Sequence, residues 1–352
     1  MSDLIFFQFI LTPLSWLYGL AVLIRNWCYD TGVFKAMQVE IPVISVGNIT
    51  AGGTGKTPMV EYLIRYFLKQ NRKIAVLSRG YKRTTKGTKI VSDGNTLSGT
   101  AEAMGDEPFQ IAKKFQSVIV AVDKRRARVA KIIIEKYKPD VILLDDGFQH
   151  RGIVRDLDIV IVDGRKLLSA IGMFPAGLRR EPLSSLQRAD FIVVTRDYES
   201  TDKNDFFLKK YYHKDTAIVQ FKPKGLRDFV HLNNTDYPTK DRKDYIAFCG
   251  IGNPDSFKKT LAVVGLSVKD LIIFPDHHRY SEADLIEIQD RYEKCKADSI
   301  ITTEKDAMRL LSMKIPKSFP SKSLYFLEIE AVVTGGEKNL HDLLDQTIRG
   351  AA

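Results

Sequence analysis

The stretch Ile44-Ser-Val-Gly-Asn-Ile-Thr-Ala-Gly-Gly-Thr-Gly-Lys-Thr57 decides the fold class. An apolar run of strand character enters a glycine-rich turn, and Gly55-Lys56-Thr57 opens a helical pattern. Phosphate asks for this order. Glycines let backbone N–H groups close around the oxygens, and the N-terminus of the following helix adds the positive end of its dipole. Thr50, Ala51, Gly52, Gly53, Thr54, Gly55, Lys56 and Thr57 then form a nucleotide loop, in which Lys56 reaches the β- and γ-phosphates and Thr57 ligates Mg²⁺. The strict spacing has glycine at position 50, where this chain has threonine.

Such a loop needs a metal-side carboxylate at the end of a neighbouring strand. Val141-Ile-Leu-Leu-Asp145-Asp146 supplies two, followed by an amide and an imidazole in Gly147-Phe-Gln-His150. Gly105-Asp106-Glu107-Pro108 puts paired acids at a helix start, where Asp106 could equally be an N-cap. Ser78-Arg79-Gly80-Tyr81 ends another strand on the edge where α/β ligands bind, and Arg79 suits phosphate there. A basic pair, Arg179-Arg180, precedes Glu181 in a further loop.

Strands are expected at 42–46, 73–78, 117–122, 141–144, 159–162 and 191–195, with helices at 56–69, 106–115 and 123–137. This rhythm predicts an α/β protein of P-loop NTPase type, with a doubly wound, mostly parallel sheet. A polar, turn-rich stretch at 223–244 reads as a linker between a core unit at 31–222 and a smaller α/β unit at 245–352. In the smaller unit, strands are expected at 245–249, 268–274, 299–302 and 323–329, and helices at 253–264, 281–294 and 338–347.

The net charge of +10 favours an anionic partner without choosing among nucleic acid, phosphorylated substrate and acidic membrane. No nucleic-acid recognition motif is present. Cys28, Cys249 and Cys295 lie far apart, which argues against a disulfide framework or structural zinc and for a reducing cytosol. Residues 1–30 are expected to form a membrane-associating helix, since 4–24 are almost uncharged and both tryptophans, Trp16 and Trp27, are here. Gln8, Thr12, Ser15 and Gly19 fall on one polar helical stripe, which favours a helix lying in the interface over one that spans.

A guanine reader is absent, because Thr303-Glu-Lys-Asp306 has the residues in the wrong order. Together the motifs resemble the tetraacyldisaccharide 4′-kinases. The resemblance rests on SVGNITAGGTGKTP at 45–58, SRGY at 78–81, GDEP at 105–108, DDGFQH at 145–150 and REP at 180–182, with DHH at 276–278 and TEKDA at 303–307 extending it. It implies an ATP- and Mg²⁺-dependent lipid kinase of lipid A biosynthesis at the cytoplasmic face of a bacterial inner membrane. Its acceptor would be the 4′-hydroxyl of a tetraacyldisaccharide 1-phosphate and its product lipid IVA, with no obligate protein partner.

Carried over by motif, the catalytic residues would be Asp106, His277, Lys56 and Arg180, with Asp106 and His277 as a general-base dyad. Thr57, Asp145 and Asp146 would hold the metal, with His150 in their cluster. Asn48, Arg79, Tyr81, Glu107 and Glu181 are further candidates within the shared motifs. His278 beside His277 leaves open which imidazole meets Asp106, and the division of metal roles between Asp145 and Asp146 is also open. The alternative is a membrane-attached P-loop ATPase switch acting on a partner protein.

Overall fold

Long apolar runs without polar alternation suit strands covered on both faces. The computed structural model describes residues 2–164, 172–195, 215–232, 234–235 and 244–350. Strands β1 (Val43–Asn48), β2 (Ile74–Ser78), β4 (Ile119–Val122), β5 (Val141–Asp145), β6 (Leu157–Asp163) and β7 (Phe191–Thr195) are buried at every residue. All pair in parallel, while the polar edge strand β3 (Lys89–Asp93) runs antiparallel to β4. Alternate residues of β1 serve opposite layers. Ile44 and Val46 pack with Met59, Leu63 and Phe67 of α2 (Lys56–Lys69), whereas Val43 joins Val129 and Ile133 of α5 (Arg126–Tyr137). Two short helices, α3 (Ala101–Met104) and α4 (Asp106–Lys114), follow β3.

In the second unit β10 (Asp244–Cys249), β11 (Ser267–Ile273) and β12 (Ser299–Thr303) are parallel. Helices α6 (Pro254–Val263), α7 (Glu282–Lys294), α8 (Glu304–Leu310) and α9 (Glu337–Gly350) accompany them. The two units meet where β13 (Leu324–Gly335) runs antiparallel to the long β8 (Thr216–Asp228). The strand order is β11-β10-β12-β13-β8-β7-β6-β1-β5-β2-β4-β3, with β9 (Asn234–Thr235) beside β8.

The stretch expected as a linker differs in part, since 223–228 continue β8 and 236–243 lie outside the described residues. Charged residues disguise β8 because the strand is only half buried. Both units share one apolar cluster, in which Ile44 and Met59 join Phe248, Leu324 and Leu344. A buried charge knot also ties them: Lys114 Nζ lies 2.8 Å from Glu61 in α2, 2.9 Å from Glu304 in α8 and 2.6 Å from Glu328 in β13.

The N-terminal helix α1 (Ser2–Asp30) is set on the protein with its polarity inverted relative to a water-facing helix. Ser15 on the polar stripe is buried, donating to the Leu11 carbonyl and accepting from the Ala176 N–H at 2.9 Å. Gly19 lies against Met173. Leu14, Trp16, Leu17, Leu20, Leu23 and Trp27 are exposed, Trp16 by 74%. No helix among the described residues is long and apolar enough to cross a membrane.

Candidate active site

β1 runs into the nucleotide loop and α2 leaves it, as the glycine pattern requires. Gly55 caps α2 at φ 85°, and a Cβ there would stand 1.9 Å from the Phe221 ring, so glycine is demanded twice over. Asn48 donates to Thr54 Oγ1 at 2.7 Å, fastening the strand end to the loop, and Gln149 donates to the Asn48 carbonyl at 2.8 Å. On the other side the Ala51 N–H reaches the Leu178 carbonyl at 2.6 Å, and the Arg180 N–H reaches Ile49 at 2.8 Å. Thr50 and Thr57 are buried beside them.

β5 lies next to β1, with Asp145 in register with Val46. Asp145 is buried and accepts from Ser78 Oγ at 3.1 Å. Burial, with Asp146 and then Glu107 nearby, pushes its carboxyl up to about 6. The charge of Lys56 offsets this only in part. Asp146 stands differently, in left-handed backbone at φ 51°, with Arg180 Nη1 at 3.0 and 2.9 Å from its oxygens and Lys56 Nζ at 3.6 Å. Burial raises its pKa, but Lys56 and Arg180 outweigh that and hold it below the usual carboxylate range. Burial and the charges of Arg126, Arg155 and Arg79 push His150 down to about 4, so its imidazole is neutral near pH 7. The Arg79 side chain is itself on an exposed residue.

Mg²⁺ bound with ATP needs only one or two carboxylates, because phosphate and water complete its shell. No group of three or more His, Cys, Asp or Glu side chains among the described residues is placed to hold a metal ion. The donor set fits nonetheless, since Asp145 is an underneutralised acid at the strand end and the Thr57 hydroxyl opens α2.

The second cluster crosses between the units. Gly105, at φ 100°, caps α4, so Asp106 is its first residue and not its N-cap. Asp106 Oδ2 lies 2.9 Å from His277 Nδ1 and accepts from Arg309 Nε at 2.9 Å and Nη2 at 2.6 Å. Burial raises the Asp106 pKa, yet His277 and Arg309 outweigh it and bring the carboxyl down to about 2. The geometry chooses between the histidines. His278 stacks on Phe274 at 4.7 Å, with its Nε2 3.1 Å from Asp284. The Tyr81 ring meets His277 edge-on at 5.4 Å. Glu107 pairs with Lys305 at 2.5 Å, while its charge is also felt at Asp145.

Glu181 belongs elsewhere. It is fully buried and bound by Arg25 at 3.2 Å, Asn26 at 3.0 Å and Arg188 at 2.6 Å, so it seats α1. Arg309 and Lys305 were missed by sequence reasoning, although Thr303, Lys305 and Arg309 carry a signal. Thr303 is an N-cap, and residues four apart share a helix face.

A strand–loop–helix phosphate site with an acid on the adjacent strand defines a P-loop nucleotide-binding protein. The family is shown by comparison: the chain belongs to the tetraacyldisaccharide-1-P 4′-kinases, whose model matches residues 7–349. It is 39% identical over 336 residues to a tetraacyldisaccharide 4′-kinase of Porphyromonas gingivalis, covering 91% of both chains. A Chlorobium phaeovibrioides relative of the same name is 37% identical over 337 residues, covering 94% of this chain and 95% of the relative. An Aquifex aeolicus LpxK crystal structure, described as an apo form in complex with ATP, superposes with TM-score 0.80 at 32% identity, covering 97% of this chain and 99% of that one.

Proposed function

We propose that this kinase moves the γ-phosphate of ATP onto the 4′-hydroxyl of a tetraacyldisaccharide 1-phosphate, giving the bisphosphorylated lipid IVA, at the cytoplasmic face of a bacterial inner membrane. The observation that carries the reading is the Asp106–His277 pair, because hydrolysis or switching needs no base for an alcohol. Nothing observed favours a switch.

The described hydrogen bonds to the Asp106 carboxylate converge on Oδ2. Oδ1 takes the proton of the attacking hydroxyl, whose oxygen bonds to the γ-phosphorus as the bond to the ADP oxygen breaks. A carboxylate this weakly basic suits a loose transfer, in which proton loss follows rather than drives bond making. An ionised Asp106 cannot donate, so His277 Nδ1 carries the hydrogen of the pair. Lys56 and Arg180 leave Asp146 for the phosphoryl oxygens and offset their charge. Thr57 and Asp145 would hold Mg²⁺, which supplies charge neutralisation on the phosphates. The outward apolar face of α1, with exposed Phe174 packed against its Tyr18 and exposed Leu178 in the same loop as Arg180, covers itself with lipid and presents the acceptor.

The test is incubation with labelled ATP, Mg²⁺ and tetraacyldisaccharide 1-phosphate in detergent, followed by chromatography. A labelled bisphosphorylated lipid supports the reading. ATP turnover with no labelled lipid overturns it.

A further inference from the structure

We infer that Arg309 is a positioning residue for phosphoryl transfer, a side chain that ties Asp106 and the loop of His277 to one another. The inference rests on the reading of Asp106 as the base.

Arg309 is nearly buried and spends its guanidinium in two directions. Toward the first unit, Nε and Nη2 grip Asp106 Oδ2. Toward its own unit, Nη1 donates to Asp306 Oδ1 at 2.6 Å and to the Gly250 carbonyl at 2.8 Å. The same Gly250 carbonyl accepts the His277 N–H at 3.1 Å, and the Gly250 N–H donates to Asp306 Oδ2 at 3.0 Å. Asp306 is fully buried and also accepts from Thr303 Oγ1 at 2.6 Å. The strand end of β10, the loop holding His277 and the first residue of α4 therefore hang on one rigid fork.

Geometry of this kind is what arginine offers and lysine does not: a planar group with fixed donors in several directions. Two of those donors occupy Oδ2, which leaves Oδ1 for the acceptor hydroxyl of the proposed reaction. His277 alone would leave the carboxylate free to rotate about its last bond.

The groups that face Asp106 are His277 from the loop after β11, Arg309 and Lys305 from α8, and Glu107 from its own helix. Asp276 lies 4.0 Å from His277 Nε2 on the far side. Removing Arg309 takes away a cation and two hydrogen bonds from the carboxylate, so the carboxyl titrates at higher pH and the acid limb of kcat moves up.

The test compares Arg309→Lys, Arg309→Gln and Asp106→Asn, singly and combined, by single-turnover transfer across pH. ATP-dependent thermal protection checks that each variant folds. Arg309→Gln is expected to lose kcat by about 10²-fold, the cost of misplacing a reacting group by ~1 Å, with KM for ATP unchanged. Its acid limb shifts to higher pH. Arg309→Lys, keeping the charge without the fork, returns the limb toward its original position but not the rate. In the Asp106→Asn background either change adds little. Equal losses in both backgrounds, or an unmoved acid limb in a folded Arg309→Gln protein, overturn the inference and leave the base assignment standing. Near-normal turnover by Asp106→Asn overturns the base assignment and the inference with it.

Discussion

Lys56 Nζ stands 3.6 Å from Asp146 Oδ1, on the same carboxylate that Arg180 grips. On the proposed reading, the two cations that would meet phosphate are thus already gathered beside the loop. All three side chains keep some exposure, so Asp146 can be exchanged for phosphoryl oxygens of like charge. Lys56→Ala and Arg180→Ala are each expected to lower single-turnover transfer by about 10²-fold or more, as for loss of one charge-stabilising donor. A normal rate in either variant removes that residue from the phosphate site.

Asp106→Ala and His277→Ala should each reduce turnover by roughly 10²–10⁴-fold, the usual span for a general base. The double variant should lose far less than the product of the two losses, because the residues act as one unit. His278→Ala should keep transfer intact, since that imidazole is committed to Phe274 and Asp284. Multiplicative losses would reject the pair.

The knot around Lys114 gives a stability prediction. Lys114→Met removes the cation shared by three buried carboxylates, of which Glu61 keeps Arg65 at 3.1 Å, and should destabilise the fold by about 3–5 kcal/mol in chemical denaturation. Burial and then the Glu61 charge push Glu304 up from 4.5 to about 7. Its folded value is above its unfolded one, so its contribution is fully present below pH 4.5 and is lost as pH rises through about 7. The fold should therefore be less stable at pH 8 than at pH 5.5 on account of this group, and Glu304→Gln should flatten that slope. An unchanged slope would clear Glu304 of the effect.

The outward face of α1 is expected to hold the protein on lipid. Trp16→Glu with Leu20→Glu should release it from anionic vesicles in high salt, where only the apolar contribution remains. ATP binding should survive, because both side chains point away from the protein. Sedimentation of this variant with vesicles would move the attachment elsewhere.

Much of this was legible in the residues. The loop at 44–57 and the acids at 145–146 announce themselves because phosphate and metal demand fixed spacings. Buried parallel strands announce themselves because nothing polar interrupts them. β8 stayed hidden since its Lys222, Lys224 and Arg227 look like linker, although antiparallel pairing with β13 needs only backbone. α8 was hidden by its brevity, seven residues with little apolar rhythm. Glu181 was a further candidate beside Arg180, but its carboxylate is spent on Arg25, Asn26 and Arg188 while the Arg180 guanidinium meets Asp146. Its three partners come from α1 and from Arg188, none of which the local sequence announces.

The Tyr18 hydroxyl fastens the Arg180 carbonyl at 3.1 Å, and the Arg180 side chain fastens Asp146. A short peptide spacer of fixed length thus runs from α1 to the phosphate site. If tails of an amphiphile lie level with the outward face of α1, only the slice of headgroup at the altitude of Arg180 meets the phosphates. Hydroxyls closer to the tails or farther out miss the reacting atom. Choice among sugar hydroxyls then becomes a matter of depth, set by where the helix floats, before any contact reads the sugar.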